Sequence, residues 1–111
     1  MAKSSTKEQP AKSCPSLDHA AMESPHCPWV IGRAYLIRTV TYFALGRLVH
    51  LGDKELMLEE ASWVADTGRF HEALKSGKLV EVEPFPASLI VGRGAIVDAC
   101  EWQHALPNIA I

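Results

Sequence analysis

RAYLIRTVTYFALGRLVHLGDKELMLEEA, residues Arg33–Ala61, is the stretch that indicates the fold class. Two runs with strand character, Ala34–Leu51 and Glu55–Ala61, flank a Gly-Asp turn, and β-branched and aromatic residues dominate the first of them. These residue types fit the pleated, half-buried surface of a sheet. We therefore predict a long hairpin, bent where Gly46 interrupts the first run, as a bend or a β-bulge does.

After this hairpin the chain alternates between helix, strand and turn signals. A turn at Asp66 and a glycine at position 77 bound one short helix, expected at about residues 68–76. The remaining expected strands are Leu79–Glu83, Ser88–Val91 and Ala95–Cys100. Because glycine suits tight turns, Gly92-Arg93-Gly94 predicts that the last two form a second hairpin. The fold class is therefore all-β (β-dominated α+β): a small β-barrel or roll of about five to six antiparallel strands with one short helix.

The first 28 residues differ in composition from the rest. Residues 1–28 hold four of the seven prolines and few large apolar side chains. Such a segment buries too little apolar surface to offset the entropy of ordering it, which indicates an extended N-terminal arm. Residues 29–111 form the predicted barrel-like domain, ending in a C-terminal tail. If the arm contacts other subunits, we expect Leu17, Met22 and Trp29 to be its apolar anchors.

Length and charge exclude several classes of protein. At 111 residues the chain suffices for one domain with its own core. A net charge of −2 gives no overall attraction to nucleic acid or anionic lipid. No apolar run reaches the length of a membrane span, and three cysteines, an odd number, do not suit a secreted disulfide framework. We expect a cytoplasmic or phage-particle protein with no membrane partner.

Two segments resemble the motifs of Sm-like small β-barrels, whose subunits pair edge strands into rings. Gly46–Ala61 is similar to the first motif in its glycine, turn aspartate and Leu-x-x-Ala ending, and Leu89–Ala99 is similar to the second. The resemblance implies a ring-forming RNA-binding protein. In that alternative Arg93, together with Arg38 and Arg47, contacts the nucleic acid. The base-reading asparagine of the family has no counterpart here.

A second resemblance is to uncharacterised small bacterial and phage-borne β-domain proteins. Its matching segments are Asp66–His71, Glu83–Pro86 and Val91–Ala95. This resemblance implies a phage particle or another large assembly as the setting, and it implies no activity.

The residues that could carry chemistry form no recognised set. Cys14, His19, His26 and Cys27 are of the types that ligate zinc, but their spacing is not that of a standard zinc site. The aspartate of Asp66-Thr67-Gly68 suits a helix cap better than a protease, which needs two such carboxylates. Because no acid, base and nucleophile stand at motif spacing, we expect no enzyme activity, no bound metal and no cofactor.

Aromatic and charged residues favour assembly. The larger aromatic residues are expected to be core or interface anchors rather than base-stacking platforms: Tyr35, Tyr42, Phe43, Trp63 and Trp102. Arginines in the first β-rich run and acids in the second either pair across the hairpin or join a basic edge to the acidic edge of another copy. The leading hypothesis is a structural subunit that binds copies of itself or a larger scaffold protein through strand edges and its arm. Nucleic-acid binding is the alternative.

Overall fold

The computed structural model describes residues 27–111, and in these residues six antiparallel strands form one sheet accompanied by one short helix. The elements in chain order are β1 (Ala34–Thr39), β2 (Phe43–Leu51), β3 (Glu55–Asp66), α1 (Phe70–Ser76), β4 (Glu81–Pro84), β5 (Leu89–Gly92), a 3₁₀ turn (Arg93–Ala95) and β6 (Ile96–Glu101). The predicted fold class is therefore confirmed. No helix in this part of the chain is long and apolar enough to cross a membrane.

The long strand β3 organises the sheet because it pairs with three other strands. The strand order is β4-β3-β2-β1-β6, and β5 also pairs with β3. The first half of β3 pairs with β5, and the second half of β3 pairs with β4. Between the halves lies a β-bulge, where Glu60 and Ala61 together oppose Gly46 and Glu60 has a φ of 52°. The irregularity predicted at Gly46 is therefore present as a bulge, but its extra residue lies in β3, and Gly46 itself continues β2.

The first β-rich run is two strands rather than one. Its chain reverses at Val40-Thr41, between β1 and β2. The side-chain oxygen of Thr39 accepts hydrogen bonds from the backbone N–H groups of Tyr42, at 3.2 Å, and Thr41, at 3.4 Å. The turn is therefore held by a threonine side chain, and it needs none of the glycine, proline or asparagine signals that normally mark a hairpin.

The predicted second hairpin is wrong, although both of its strands exist. β5 pairs with β3, whereas β6 pairs with β1, and the 3₁₀ turn joins them across the sheet. Gly92 has a φ of −69°, so this connection does not use the left-handed backbone that a tight glycine turn requires.

Both faces of the sheet carry a core. On one face α1 and the tail after β6 cover a cluster of buried residues: Ala34, Leu36, Leu45, Val64, Ala73, Leu79, Val82 and Trp102. On the other face the bent sheet packs on itself around a second buried cluster: Tyr35, Ile37, Ala44, Leu48, Leu56, Leu58, Ala61 and Val91. The strict alternation of strand side chains produces this division, because neighbouring residues point to opposite faces.

The helix and the tail stabilise the first core. The helix ends at Gly77, whose φ of 79° is the left-handed conformation expected of a C-terminal glycine. In the tail, the Trp102 ring is buried, and a ring nitrogen of His104 lies 2.8 Å from the carbonyl oxygen of Leu74. Further on, Ile111 and Val82 exchange two backbone hydrogen bonds of 3.0 Å, so the tail reaches the outer edge of β4.

Candidate functional site

Two strands of the sheet each have one edge that pairs with no other strand among the described residues. β5 is bonded on one side to β3, and β6 is bonded on one side to β1. Among residues 27–111 no other strand pairs with the outer edge of either one. A strand edge presents unpaired N–H and C=O groups and is a template for adding another strand. We call these two edges the β5 edge and the β6 edge.

Each edge carries one large, exposed apolar side chain. Ile90 in β5 is 62% exposed and Val97 in β6 is 57% exposed. Ile90 lies opposite the half-buried Met57 of β3, while its neighbour Val91 points inward and pairs with the buried Leu56. The alternation that fills the core with Val91 therefore places Ile90 in solvent. Sequence pattern alone missed both positions, because an exposed strand edge depends on which strands pair.

Arg93 is held by the turn between β2 and β3. Its Nη1 donates a 2.6 Å hydrogen bond to the carbonyl oxygen of Gly52. Its backbone N–H donates a 2.8 Å hydrogen bond to the carbonyl oxygen of Lys54. The sequence had suggested a residue in a hairpin turn or, in the alternative, a nucleic-acid contact. In the structure the guanidinium group instead links the β5–β6 connection to a distant turn.

The arginines of β1 and β2 are paired with acids of the same chain. Arg47 lies 3.5 Å from Glu60 of β3, which is the internal pairing across the hairpin that the charge pattern had suggested. Arg38 pairs with Asp98 of β6, with Nε 3.1 Å from Oδ1. The hydrogen bond from the Arg38 guanidinium lowers the pKa of the Asp98 carboxyl group below its usual value.

The β6 acids were not anticipated as partners of these arginines. A second pair joins Arg33 to Glu101 at 3.5 Å. The side chains of the Arg33–Glu101 and Arg38–Asp98 pairs are 40% to 56% exposed. Solvent therefore screens both pairs, and each contributes little to stability. Their clearer effect is to neutralise the charge of the face beside the β6 edge.

Most of the proposed metal and arm residues lie outside the described part of the chain: Cys14, Leu17, His19, Met22 and His26. Of the two that are described, Cys27 belongs to no group of three possible metal ligands within residues 27–111. Trp29 packs edge-on against the Tyr35 ring, with ring centroids 4.9 Å apart. This contact anchors the entry of the chain to the second core.

The aromatic residues divide into two groups. Tyr35 and Trp102 are buried, and burial raises the pKa of the Tyr35 hydroxyl group. The other three, Tyr42, Phe43 and Trp63, line an open groove of about 320 Å³ at the β1–β2 turn. We call it the distal groove; it is lined by residues 38–43 and 63–65.

Burial also decides the chemistry of the half-buried Cys100. Burial, with a smaller contribution from the nearby Asp98 charge, raises the pKa of this thiol, which disfavours the reactive thiolate.

Comparison with known proteins adds no relationship. No protein-family model, curated protein or solved structure matches this chain. The functional argument therefore depends on the strand edges, the ion pairs and the distal groove.

Proposed function

We propose that this protein is a non-enzymatic structural subunit that self-associates through its β5 and β6 edges and through its N-terminal arm. A phage particle or another large bacterial assembly is the setting proposed for it, with copies of itself or a larger scaffold protein as partners. The observation that carries the proposal is two strand edges with exposed apolar side chains that pair with no other strand within residues 27–111.

The two edges suit a head-to-tail contact. β5 has four residues and β6 has six, so β5 of one copy can add to β6 of the next over the length of β5. Each hydrogen bond formed contributes a net of about 1 kcal/mol, and burial of Ile90 and Val97 adds to this. Because the contact joins two different surfaces, it leaves one free edge at each end of a dimer and continues to a ring or a filament.

The nucleic-acid alternative has less support. A phosphate-binding arginine offers its guanidinium group to the ligand. Here Arg93 is bonded to a backbone carbonyl, and Arg38 and Arg47 are paired with acids. Each would have to exchange an existing partner for a phosphate. The absorbance ratio at 260 and 280 nm of the purified protein tests this alternative directly, because bound RNA raises the ratio.

Lysine substitutions at the edges test the assembly. A lysine at an edge position opposes strand addition because its charge would have to be buried. Ile90→Lys should block the β5 edge and Val97→Lys the β6 edge, so each variant alone should be monomeric by sedimentation velocity. Val80→Lys is the matched control, since Val80 is 59% exposed and lies on neither edge.

Mixing the two edge variants provides a sharper result. The Ile90→Lys chain keeps an intact β6 edge and the Val97→Lys chain keeps an intact β5 edge. A head-to-tail contact therefore predicts that the mixture forms a dimer and nothing larger. The proposal is wrong if both variants assemble as the unaltered chain does, or if the mixture remains monomeric while the unaltered chain assembles.

The contribution of the arm is tested separately. Deletion of residues 1–25 should lower the oligomer mass or weaken assembly while the circular dichroism signal of the sheet is retained. If the shortened chain assembles as well as the full chain at the same concentration, the arm has no part in self-association.

A further inference from the structure

The distal groove is surrounded by apolar side chains that the fold leaves in solvent. Val40 at the tip of the β1–β2 turn is 83% exposed, and Trp63 is 39% exposed. Beside the groove, Phe70 of α1 is 45% exposed and stacks on Phe43, with ring centroids 5.8 Å apart. Exposed apolar groups gathered around one concave site indicate a binding surface. The contacts within the described chain leave this surface uncovered.

We propose that the distal groove binds the proline-rich N-terminal segment, residues 1–26, of a second copy of the chain. This inference rests on the proposed self-association, because it requires a neighbouring copy. Aromatic grooves recognise proline-rich segments in many proteins, since such segments are already extended and lose little entropy on binding. Residues 1–26 contain three of the seven prolines, and Tyr42, Phe43 and Trp63 line the groove.

The first half of the segment is complementary in charge to the acids beside the groove, whereas its second half carries the acids Asp18 and Glu23. In the first 13 residues of the chain, three lysines, at positions 3, 7 and 12, outnumber a single acid, Glu8. At the groove, Asp66 follows the lining residue Ala65, and Glu83 lies directly opposite Trp63 on β4. Both acids are exposed and have no ion-pair partner in the described part of the chain. Arg38, the one cation in the lining, is already paired with Asp98.

The length of the segment is sufficient to reach a neighbour. In an extended conformation the first 13 residues, which carry the three lysines, span about 40 Å. The segment joins the domain at Cys27, close to the Trp29–Tyr35 contact. A neighbour held by strand pairing lies directly against the domain, since adjacent strands are about 5 Å apart, and this keeps its groove close to the segment.

A photo-cross-linking experiment on the full chain tests the proposal. The photoreactive residue benzoylphenylalanine replaces Val40 at the groove and, as the control, Asp53, which is exposed in the β2–β3 turn at the opposite end of β2. Each variant is mixed with unaltered ¹⁵N-labelled chain, irradiated, digested and analysed by mass spectrometry. The Val40 probe should cross-link to ¹⁵N peptides from residues 1–26, and the Asp53 probe should not.

Charge reversal tests the same contact in a second way. Changing Lys7→Glu and Lys12→Glu in the ¹⁵N chain should cause loss of the cross-linked peptides. These lysines lie outside the domain, so the substitutions leave the groove unchanged.

The following outcomes overturn the inference. Cross-links from position 40 that map outside residues 1–26, or only to the same unlabelled chain, exclude a second copy's segment as the occupant. Equal cross-linking by both probes shows that the contact is nonspecific. Sedimentation of the same samples separates this result from the proposed function, because an assembled sample without these cross-links refutes the groove contact alone. A monomeric sample refutes both.

Discussion

The bulge opposite Gly46 gives a prediction whose size can be worked out from the structure. A Cβ atom added at Gly46 would lie 2.9 Å from Cβ of Leu58, 3.1 Å from Cα of Ala61 and 3.2 Å from Cβ of Ala61. Both residues are buried in β3, and one of the three contacting atoms, Cα of Ala61, belongs to the backbone. Gly46→Ala therefore requires the two strands to move apart at the point where the sheet bends.

The free energy of unfolding should fall on this substitution. Overpacking of a dense core costs about 1–3 kcal/mol. Replacing glycine also restricts the unfolded chain, which offsets about 0.4–1 kcal/mol of that cost. The expected net loss is about 1–2 kcal/mol, which moves a urea midpoint down by roughly 1 M for a domain of this size.

Gly92 offers a matched control for this experiment. A Cβ atom at Gly92 meets nothing within 4 Å, and the backbone φ of −69° suits any residue. Gly92→Ala should therefore do no more than restrict the unfolded chain, which raises the free energy of unfolding by about 0.4–1 kcal/mol. Urea unfolding of the three proteins at one concentration measures both changes. The reasoning is refuted if Gly46→Ala is as stable as the unaltered protein, or if both substitutions have the same effect.

Three further predictions concern single polar groups. Arg93→Met should lower stability by about 1 kcal/mol in urea unfolding, because the hydrogen bond to Gly52 is lost; an unchanged midpoint would contradict this role. Ser62→Ala should be neutral or stabilising by up to about 1 kcal/mol in thermal unfolding, since its buried Oγ has no partner among the described residues; clear destabilisation would indicate a missed hydrogen bond. Because Arg38 lowers the pKa of Asp98, their pair contributes fully above pH 3.8 and is lost as pH falls through the lowered value. Asp98→Asn should therefore make the free energy of unfolding less dependent on pH below 3.8. An unchanged pH dependence in that range would show that the pair has no effect.

The fold class followed from local patterns that act over a few residues. Alternation and β-branched residues indicated the strands, and Gly77 indicated the end of the helix. The β1–β2 turn escaped prediction because the hydroxyl group of Thr39 holds it, and threonine is also a common strand residue. Nothing in the local composition therefore separates this turn from a continuous strand.

Pairing between distant strands was the part that local patterns do not encode. The glycines around Arg93 fit a hairpin as well as they fit a 3₁₀ turn, and the choice depends on where β3 and β1 offer open edges. For the same reason the partner of Arg38 was not identified, since Asp98 is 60 residues away in the chain. The edge residues Ile90 and Val97 became candidates only when the strand order was known.

The mass of the full-length protein in solution tests the central proposal most directly. Sedimentation velocity or native mass spectrometry across a range of micromolar concentrations compares the particle mass with that of the 12.2 kDa chain. Self-association through the β5 and β6 edges predicts particles of several times that mass, free of nucleic acid, either as one closed ring or as a distribution of filament lengths. A single 12.2 kDa species at every concentration would contradict the proposal.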